Sequence, residues 1–227
     1  MQVVLDNWDL VLRAFTYTVL LFLISGVLSM VFGTLLAAMR VGPIGVLAKA
    51  AAVYVTMIRN TPLLIVVIFF RIAGPKVGLQ FGFVDLVIGE IRINRLFAAC
   101  VVALTVYTST FVCEALRSGV NAVPLGQAEA ARAIGLPFSG TMTQVVLPQA
   151  FRASVPPLAS VQIALLKNTT ICGVFGVAEA YFRMSFFTNN EPGQRVGIFL
   201  SFALIFVLLV EIVSFFANRL ERRWRVA

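Results

Sequence analysis

The sequence predicts an all-α integral membrane protein with about five transmembrane helices, and three observations support this fold class. Of the 227 residues, 60% are hydrophobic and 12% are charged, whereas soluble domains are about 45–50% apolar and about 25% charged. The apolar residues are grouped in runs, and a spanning helix needs about 20 apolar residues. The net charge is +8, and Lys and Arg accumulate at the cytoplasmic side of membrane proteins. Residues 1–227 are therefore predicted to form a single transmembrane domain.

The composition excludes several kinds of site. The sequence has no histidine, which removes histidine-dependent catalytic triads, metal sites and proton relays. Cys100, Cys113 and Cys172 lie far apart in apolar runs without a CxxC pair, so we expect buried, unpaired thiols. We therefore predict no catalytic residue and no metal site. The basic charge fits a membrane protein surrounded by lipid, without a nucleic-acid partner.

The first predicted span covers residues 14–39, an uncharged run that is long enough to cross a bilayer with some tilt. Small residues recur within it at four-residue intervals and allow another helix to approach closely. These residues are Ser25, Ser29, Gly33 and Ala37.

The second predicted span covers residues 49–72 and is interrupted by Pro62. Because proline removes a helix hydrogen bond and disfavours helical geometry at the preceding residue, we expect a break there. The mixed segment that follows, Gly74–Arg95, is predicted to lie outside the membrane, with a short interfacial helix around Phe83–Ile88.

Three further apolar runs complete the predicted set of spans. They cover residues 96–116, 149–175 and 196–218. The segment 118–148 is far less hydrophobic and cannot cross a membrane. A second polar loop is predicted between the last two spans, from Phe175 to Arg195.

The basic residues predict the orientation of the spans. With five spans, one side of the membrane receives nine basic and two acidic residues, and the other side receives six of each. Because Lys and Arg concentrate at the cytoplasmic side, the first side is predicted to be cytoplasmic and the N-terminus to be outside. The nine basic residues are Arg40, Lys49, Arg117, Arg132, Arg152, Arg219, Arg222, Arg223 and Arg225.

The cytoplasmic segment 118–148 carries the main functional signal. Gln127–Ile134 is rich in alanine, which favours a short helix without bulky side chains. Gly135 and Pro137 are expected to end this helix. Such a helix buries little by itself, so two interpretations remain open. It lies on the membrane surface, or it inserts into a groove on another protein.

The spacing of this segment resembles the EAA loop of ATP-binding-cassette (ABC) importer permeases. Glu129-Ala130-Ala131 supplies the E-A-A triplet, Gly135 follows six residues after the glutamate, and Leu147-Pro148 supplies the closing L-P. Other runs match the polar amino-acid branch of that family. They include Arg59-Asn60-Thr61-Pro62-Leu63-Leu64, Tyr107-Thr108-Ser109 and Leu165-Leu166-Lys167-Asn168-Thr169-Thr170.

The resemblance extends over residues 14–218 and is closest to the glutamate-uptake permeases of actinobacteria. It implies a transmembrane permease subunit of an ATP-driven importer for polar amino acids, with glutamate favoured. The alternatives are another polar amino acid, such as glutamine, aspartate or a basic amino acid, or an ion-coupled secondary transporter. The implied location is the bacterial plasma (inner) membrane, which the chain crosses several times.

The resemblance also implies partners. These are a dimer of ABC ATPase subunits that each receive one coupling helix, a second permease that is identical or homologous, and an extracytoplasmic amino-acid-binding protein. The chain has no phosphate-binding loop motif, so ATP and Mg²⁺ are expected on the ATPase and no cofactor on this chain. Glu129 has two interpretations. Either it lies near the N-terminus of the helix, where a carboxylate is stabilised, or it pairs with a basic residue of the ATPase.

Polar residues inside the predicted spans suggest a substrate pathway. One group is Lys167-Asn168-Thr169-Thr170 and the other is Arg59-Asn60-Thr61. In one interpretation they line the path, and Arg59 and Lys167 offer cations to an acidic substrate. In relatives that carry basic substrates, an aspartate often takes the position of Asn168. In the other interpretation Lys167 neutralises Glu114 or Glu211, or reaches outwards, and Arg59 bonds carbonyls that Pro62 frees.

Overall fold

A computed structural model of the chain describes residues 2–82 and 84–224, and these residues are mainly helical. The described α-helices are α1 (Gln2–Asp6), α2 (Trp8–Val41), α3 (Gly45–Arg59), α4 (Leu63–Ile68), α5 (Arg95–Asn121), α6 (Leu125–Ala133), α7 (Phe138–Gly140), α8 (Leu147–Asn168), α9 (Ile171–Val174), α10 (Ala180–Asn190) and α11 (Arg195–Trp224).

Short irregular elements connect the helices. Two are π-helical, Phe69–Ala73 and Thr141–Val146, and two are 3₁₀-helical, Gly74–Val77 and Pro192–Gln194. Strands β1 (Leu86–Ile88) and β2 (Ile91–Ile93) pair as an antiparallel hairpin.

Among the described residues, three helical segments are long and apolar enough to cross a membrane: α2, α5 and Pro192–Arg222. The pair Gly45–Arg59 and Leu63–Val77 would make a fourth if it is one span bent by 101°. Helix α8 is 22 residues long but is not among them, since it is less apolar and contains Pro156 and Pro157. These assignments rest on length and composition.

The predicted break in the second span is confirmed at Pro62. This residue has φ −57° and ψ 136°, so the chain leaves α3 in an extended conformation before α4 begins. The two halves pack against different parts of the molecule. Ala51 and Val55 of α3 are buried beside Cys113 of α5, whereas α4 packs against the first turns of α5.

The small residues of α2 lie where another helix approaches closely, as predicted. Ser25, Ser29, Gly33 and Ala37 are all buried. A Cβ atom added at Gly33 would lie 2.5 Å from Cβ of Val112, so α5 packs directly on the backbone of α2. Helices α5 and α8 also approach closely, since a Cβ at Gly119 would overlap Ser154. The three cysteines are buried and unpaired, also as predicted.

The interfacial helix predicted around Phe83–Ile88 is wrong, because the described part of that segment ends in β1. Phe83 itself lies outside the described residues. The strands are rich in Val and Ile, which favour extended structure, and Gly89 makes the turn with φ +59°. The hairpin is attached to α2, since the backbone N–H of Arg92 donates to the Tyr17 hydroxyl over 2.8 Å.

The polar loop predicted from Phe175 to Arg195 is also wrong, since it contains α10. Glu179 begins this helix: its carboxylate accepts hydrogen bonds from the backbone N–H groups of Tyr181 (3.0 Å) and Phe182 (2.9 Å). Helix α10 packs in a core with the start of α2 and with α11. The helix was not predicted because its polar residues lower the hydropathy of the segment. Its stability comes from tertiary packing, which composition does not reveal.

Candidate functional site

The alanine-rich segment forms a helix, α6, that starts two residues before the predicted Gln127. It ends at Ala133, and Gly135, two residues later, has φ +88°. The Gly135 N–H donates to the carbonyl of Arg132 (2.9 Å) and the Leu136 N–H donates to that of Ala131 (3.1 Å). These two bonds satisfy the last helix carbonyls in a Schellman arrangement, which favours glycine at the left-handed position.

One side of α6 is buried and its ends are exposed. Ala131 is 4% exposed and lies against the π-helical segment that precedes α8, whereas Glu129 and Ala130 face away from the protein. Three large apolar side chains stand out of the same region, Leu125 (81% exposed), Ile134 (81%) and Phe138 (52%). These three residues were not predicted as functional, although the sequence places Leu125 and Ile134 at the two ends of the alanine-rich segment.

The interpretation of Glu129 as a helix-terminus residue is wrong. Helix α6 begins at Leu125 after Pro124, so Glu129 is its fifth residue and lies beyond the first turn. The influence of a helix terminus fades within one turn. Pairing of Glu129 with a basic residue of a partner stays a prediction.

The segment after α6 leads directly into α8. The π-helical stretch Thr141–Val146 joins Leu147-Pro148, the first two residues of α8. Proline is tolerated in a first turn because its missing N–H would have no helical partner. An apolar cavity of about 500 Å³ separates Phe138 and Met142 from the C-terminal ends of α2 and α5. The segment is therefore continuous with α8 and leaves room against the other helices.

A second pocket, of about 360 Å³, lies between α5 and α8. Its lining residues are Tyr107, Thr108, Phe111, Ser160, Val161, Ala164, Leu165 and Asn168. Thr108 is 3% exposed, and its hydroxyl has no hydrogen-bond partner within the described parts of the chain. A buried, unpartnered hydroxyl is unfavourable, and in Thr108 such a hydroxyl belongs to a residue that lines this pocket.

Arg59 lies at the rim of this pocket. Its guanidinium is 5.4 Å from the ring centre of Phe111, which lines the pocket. Arg59 also lies 3.5 Å from Glu114, so the expected bonds to carbonyls freed by Pro62 are replaced by an ion pair. Arg59 therefore places a cation beside a pocket that has no charged lining residue.

Three arginines converge on Glu114. Arg117 binds its carboxylate at 2.8 Å, Arg40 forms a second ion pair, and Arg59 forms the third. Pairing of Lys167 with Glu114 or Glu211 is wrong, since Lys167 forms no ion pair with any described residue and is exposed. This cluster was not predicted from the sequence, because its members come from three separate helices, α2, α3 and α5.

The remaining predicted pathway residues do not line the pocket. Thr169 is buried and its hydroxyl donates to the carbonyl of Leu166 over 2.7 Å, while Thr170 donates to that of Lys167 over 2.8 Å. These hydroxyls cap carbonyls where α8 ends. Asn60 and Thr61 lie at the break after α3. Of the two predicted groups, the structure thus brings Asn168 to the pocket and Arg59 to its rim.

Comparisons with known proteins agree on one family. A family model described as the binding-protein-dependent transport system inner membrane component matches residues 12–226. The glutamate transport system permease protein GluC of Corynebacterium glutamicum is 39% identical over 215 residues, which are 95% of this chain and 94% of that protein. The L-cystine transport system permease protein TcyB of Bacillus subtilis is 29% identical over 226 residues, 95% of this chain and 90% of that protein.

A solved structure has the same fold. It is a crystal structure of an amino acid ABC transporter with histidines, which superposes with a TM-score of 0.84 at 25% identity. The superposition covers 98% of this chain and 97% of that one.

Proposed function

Since the chain belongs to the family of binding-protein-dependent transport system inner membrane components, and is an amino-acid ABC permease, we propose that its substrate is glutamate. ATP hydrolysis takes place on separate subunits. The observation that carries the proposal is the 39% identity with a glutamate permease over 95% of the chain. A cystine permease reaches 29% over the same share, so the similarity favours glutamate.

The pocket between α5 and α8 supports this substrate. A carboxylate that leaves water needs hydrogen bonds and a compensating charge. The Thr108 hydroxyl and the Asn168 amide offer hydrogen bonds, and Arg59 offers a cation at the rim. No carboxylate lines the pocket, so nothing there would repel the acidic side chain.

The substrate is tested by uptake in cells that lack other amino-acid importers. We expect labelled glutamate to enter only when this chain and its partners are expressed, and glutamine and arginine to enter much more slowly. Unlabelled aspartate is the informative competitor, because it shares both carboxylates. Arginine uptake that depends on the chain, without glutamate uptake, would contradict the proposal.

Five spans with an external N-terminus are part of the proposal. The bent pair α3–α4 would supply the second span and α8, with its prolines, the fourth. The bias of basic residues supports the orientation. Because the three native cysteines are buried, new cysteines in place of Asp6 and Glu221 can be labelled selectively. An impermeant thiol reagent should modify position 6 from outside and position 221 from inside. Modification of both from one side would exclude an odd number of spans.

We also propose that α6 is the coupling helix, with Glu129-Ala130-Ala131, Gly135 and Leu147-Pro148 in the roles that the EAA loop implies. The exposed apolar residues Leu125, Ile134 and Phe138 support docking into a groove of an ATPase subunit, since their burial would be favourable. The complete importer would contain two such ATPases, a second permease and an external amino-acid-binding protein, all at the bacterial inner membrane. ATP and Mg²⁺ would bind to the ATPases, and this chain would bind no cofactor.

A further inference from the structure

A basic depression lies at the end of the molecule where α5 begins. It consists of two adjoining lobes of about 470 Å³ and about 390 Å³, which share Arg71, Gly82, Arg95 and Leu96. Lys76 and Gln80 line the larger lobe, and Arg92 lines the smaller one. We call this feature the basic vestibule. It is separate from the pocket between α5 and α8, with which it shares no lining residue.

The cations of the basic vestibule are mostly uncompensated. Arg92 donates two hydrogen bonds of 2.8 Å to Asp85, and these bonds hold the pKa of Asp85 below its usual value. Within residues 2–82 and 84–224, no ion pair involves Arg71, Lys76 or Arg95. The Nε atom of Arg71 is also buried without a hydrogen-bond partner. An orphaned guanidinium N–H is costly, so an anion bound in the depression would be stabilised there.

The walls of the basic vestibule are held in place without a ligand. The Tyr17 hydroxyl bonds both backbone groups of Arg92, accepting from its N–H at 2.8 Å and donating to its carbonyl at 3.2 Å. Arg13 forms an ion pair with Glu90 at the hairpin turn. The side chain of Asn94 caps the first turn of α5, next to Arg95. A preformed site lowers the ordering cost of binding.

The position of the basic vestibule relates it to the substrate path. Ala99 lines its larger lobe and Tyr107 lines the pocket between α5 and α8. Eight residues of helix at 1.5 Å each separate the two along α5 by about 12 Å. In the proposed orientation α5 begins at the external side, so the basic vestibule lies on the outer side of the pocket.

We propose that the basic vestibule binds the carboxylates of an acidic amino acid on the external side, before the amino acid reaches the pocket between α5 and α8. Arg71 and Arg95 would bind the two carboxylates and Lys76 would add charge at the edge. Asp85 also lines the smaller lobe, but the four basic lining residues outnumber it. Clefts in which one sign of charge dominates concentrate counter-ions and raise their association rates about 10- to 1,000-fold. The basic vestibule would thus favour acidic over neutral amino acids. This inference rests on the proposed function as an importer of glutamate.

The test uses the assembled importer in liposomes of neutral lipid, with the Gln80→Cys variant. The native cysteines are buried, so Cys at position 80 is the site that a polar thiol reagent can reach from the vestibule. We expect an anionic thiosulfonate reagent to react at least about tenfold faster than a cationic one of equal size. L-Glutamate should slow the modification, and L-glutamine should slow it less. Raising the salt concentration should remove the preference.

Two controls make this result specific. The Gly193→Cys site is exposed, has open space around it and lies outside the vestibule, so it should show neither preference nor protection. Adding Arg71→Gln or Arg95→Gln to Gln80→Cys should reduce the preference, whereas Arg195→Gln, which changes an arginine elsewhere, should leave it. If one vestibule variant fails to assemble, the other variant and the salt dependence still decide.

Three outcomes would overturn the proposal. They are equal rates for both reagents, protection by phosphatidylglycerol in the membrane without glutamate, and protection by the ligand-free binding protein alone. The proposed substrate is judged separately by uptake. If glutamate protects position 80 but is not transported, the vestibule stands and the substrate assignment fails. If glutamate is transported without protection, the vestibule proposal fails and the function stands.

Discussion

Replacing Gly135 with valine should abolish stimulation of the ATPase by the loaded binding protein, while the permease remains in the membrane. Gly135 has φ +88°, a conformation that costs an L-residue about 1–2 kcal/mol and more when the side chain is β-branched. Helix α6 has nine residues and is marginal on its own, so this strain is large enough to undo its last turn. Ile134, which precedes the glycine, would then leave the position from which it is proposed to dock.

Because the space around Gly135 is open, the expected effect comes from the backbone conformation and not from a steric clash. A Cβ atom at this position would meet nothing within 4 Å, so the valine side chain clashes with no neighbour in this chain. Gly135→Asn is the matched variant, because asparagine tolerates the left-handed conformation, and it should retain most of the activity. Gly193→Ala is a further control, because Gly193 has open space around it and does not have a positive φ, so this change should be neutral. ATPase activity is measured on purified importer in liposomes with loaded binding protein. Wild-type stimulation in Gly135→Val would remove α6 from the coupling role.

Helix α6 was predictable because its determinants are local. Alanine content, a terminating glycine and the position of Pro148 can all be read along the chain, and α6 and its Schellman end follow from them. The break at Pro62 is local in the same way. The four-residue spacing of Ser25, Ser29 and Gly33 was also visible in the sequence alone, since helix geometry places these residues on one face.

The pocket and the ion cluster were not predictable from the same sequence. Thr108 and Phe111 lie within an apolar run, and only the packing of α5 against α8 turns them towards a pocket with Asn168. Lys167 drew attention because charge in a span is rare, yet it is exposed and unpaired among the described residues. Helix α10 was missed for a related reason, because it is fixed by the buried Glu179 and by contacts from distant helices.

Replacing Glu114 with glutamine should have the largest effect on assembly of the permease. Three arginines share this one carboxylate, and Glu114 and Arg40 are only 20% and 17% exposed. Removing one partner of a fully buried ion pair costs about 3–5 kcal/mol, because the other charge is left uncompensated. Partial exposure of Arg59 (43%) and Arg117 (38%) reduces this cost through solvent screening, but the three positive charges would still repel each other.

The cluster connects the C-terminal parts of three helices, so loss of Glu114 should also disturb the pocket between α5 and α8. Arg40 ends α2, Arg59 ends α3, and Glu114 and Arg117 lie on α5. Without Glu114, Arg59 has no counter-ion beside the Phe111 ring at the rim of the pocket. We expect a lower melting temperature of the detergent-solubilised importer, and loss of most uptake even in the fraction that assembles.

Glu211 provides the matched control for Glu114. It is also a glutamate within a predicted span, but it is exposed and forms no ion pair with a described residue, so Glu211→Gln should keep near-wild-type stability. Adding Arg59→Gln to Glu114→Gln should recover part of the lost stability, because one uncompensated charge is removed with the carboxylate. The wild type, Arg59→Gln, Glu114→Gln and the double variant form a double-mutant cycle that measures the coupling of Arg59 and Glu114. Equal melting temperatures for Glu114→Gln and Glu211→Gln would show that the arginines hold their positions without the carboxylate, and the cluster would then have no structural role.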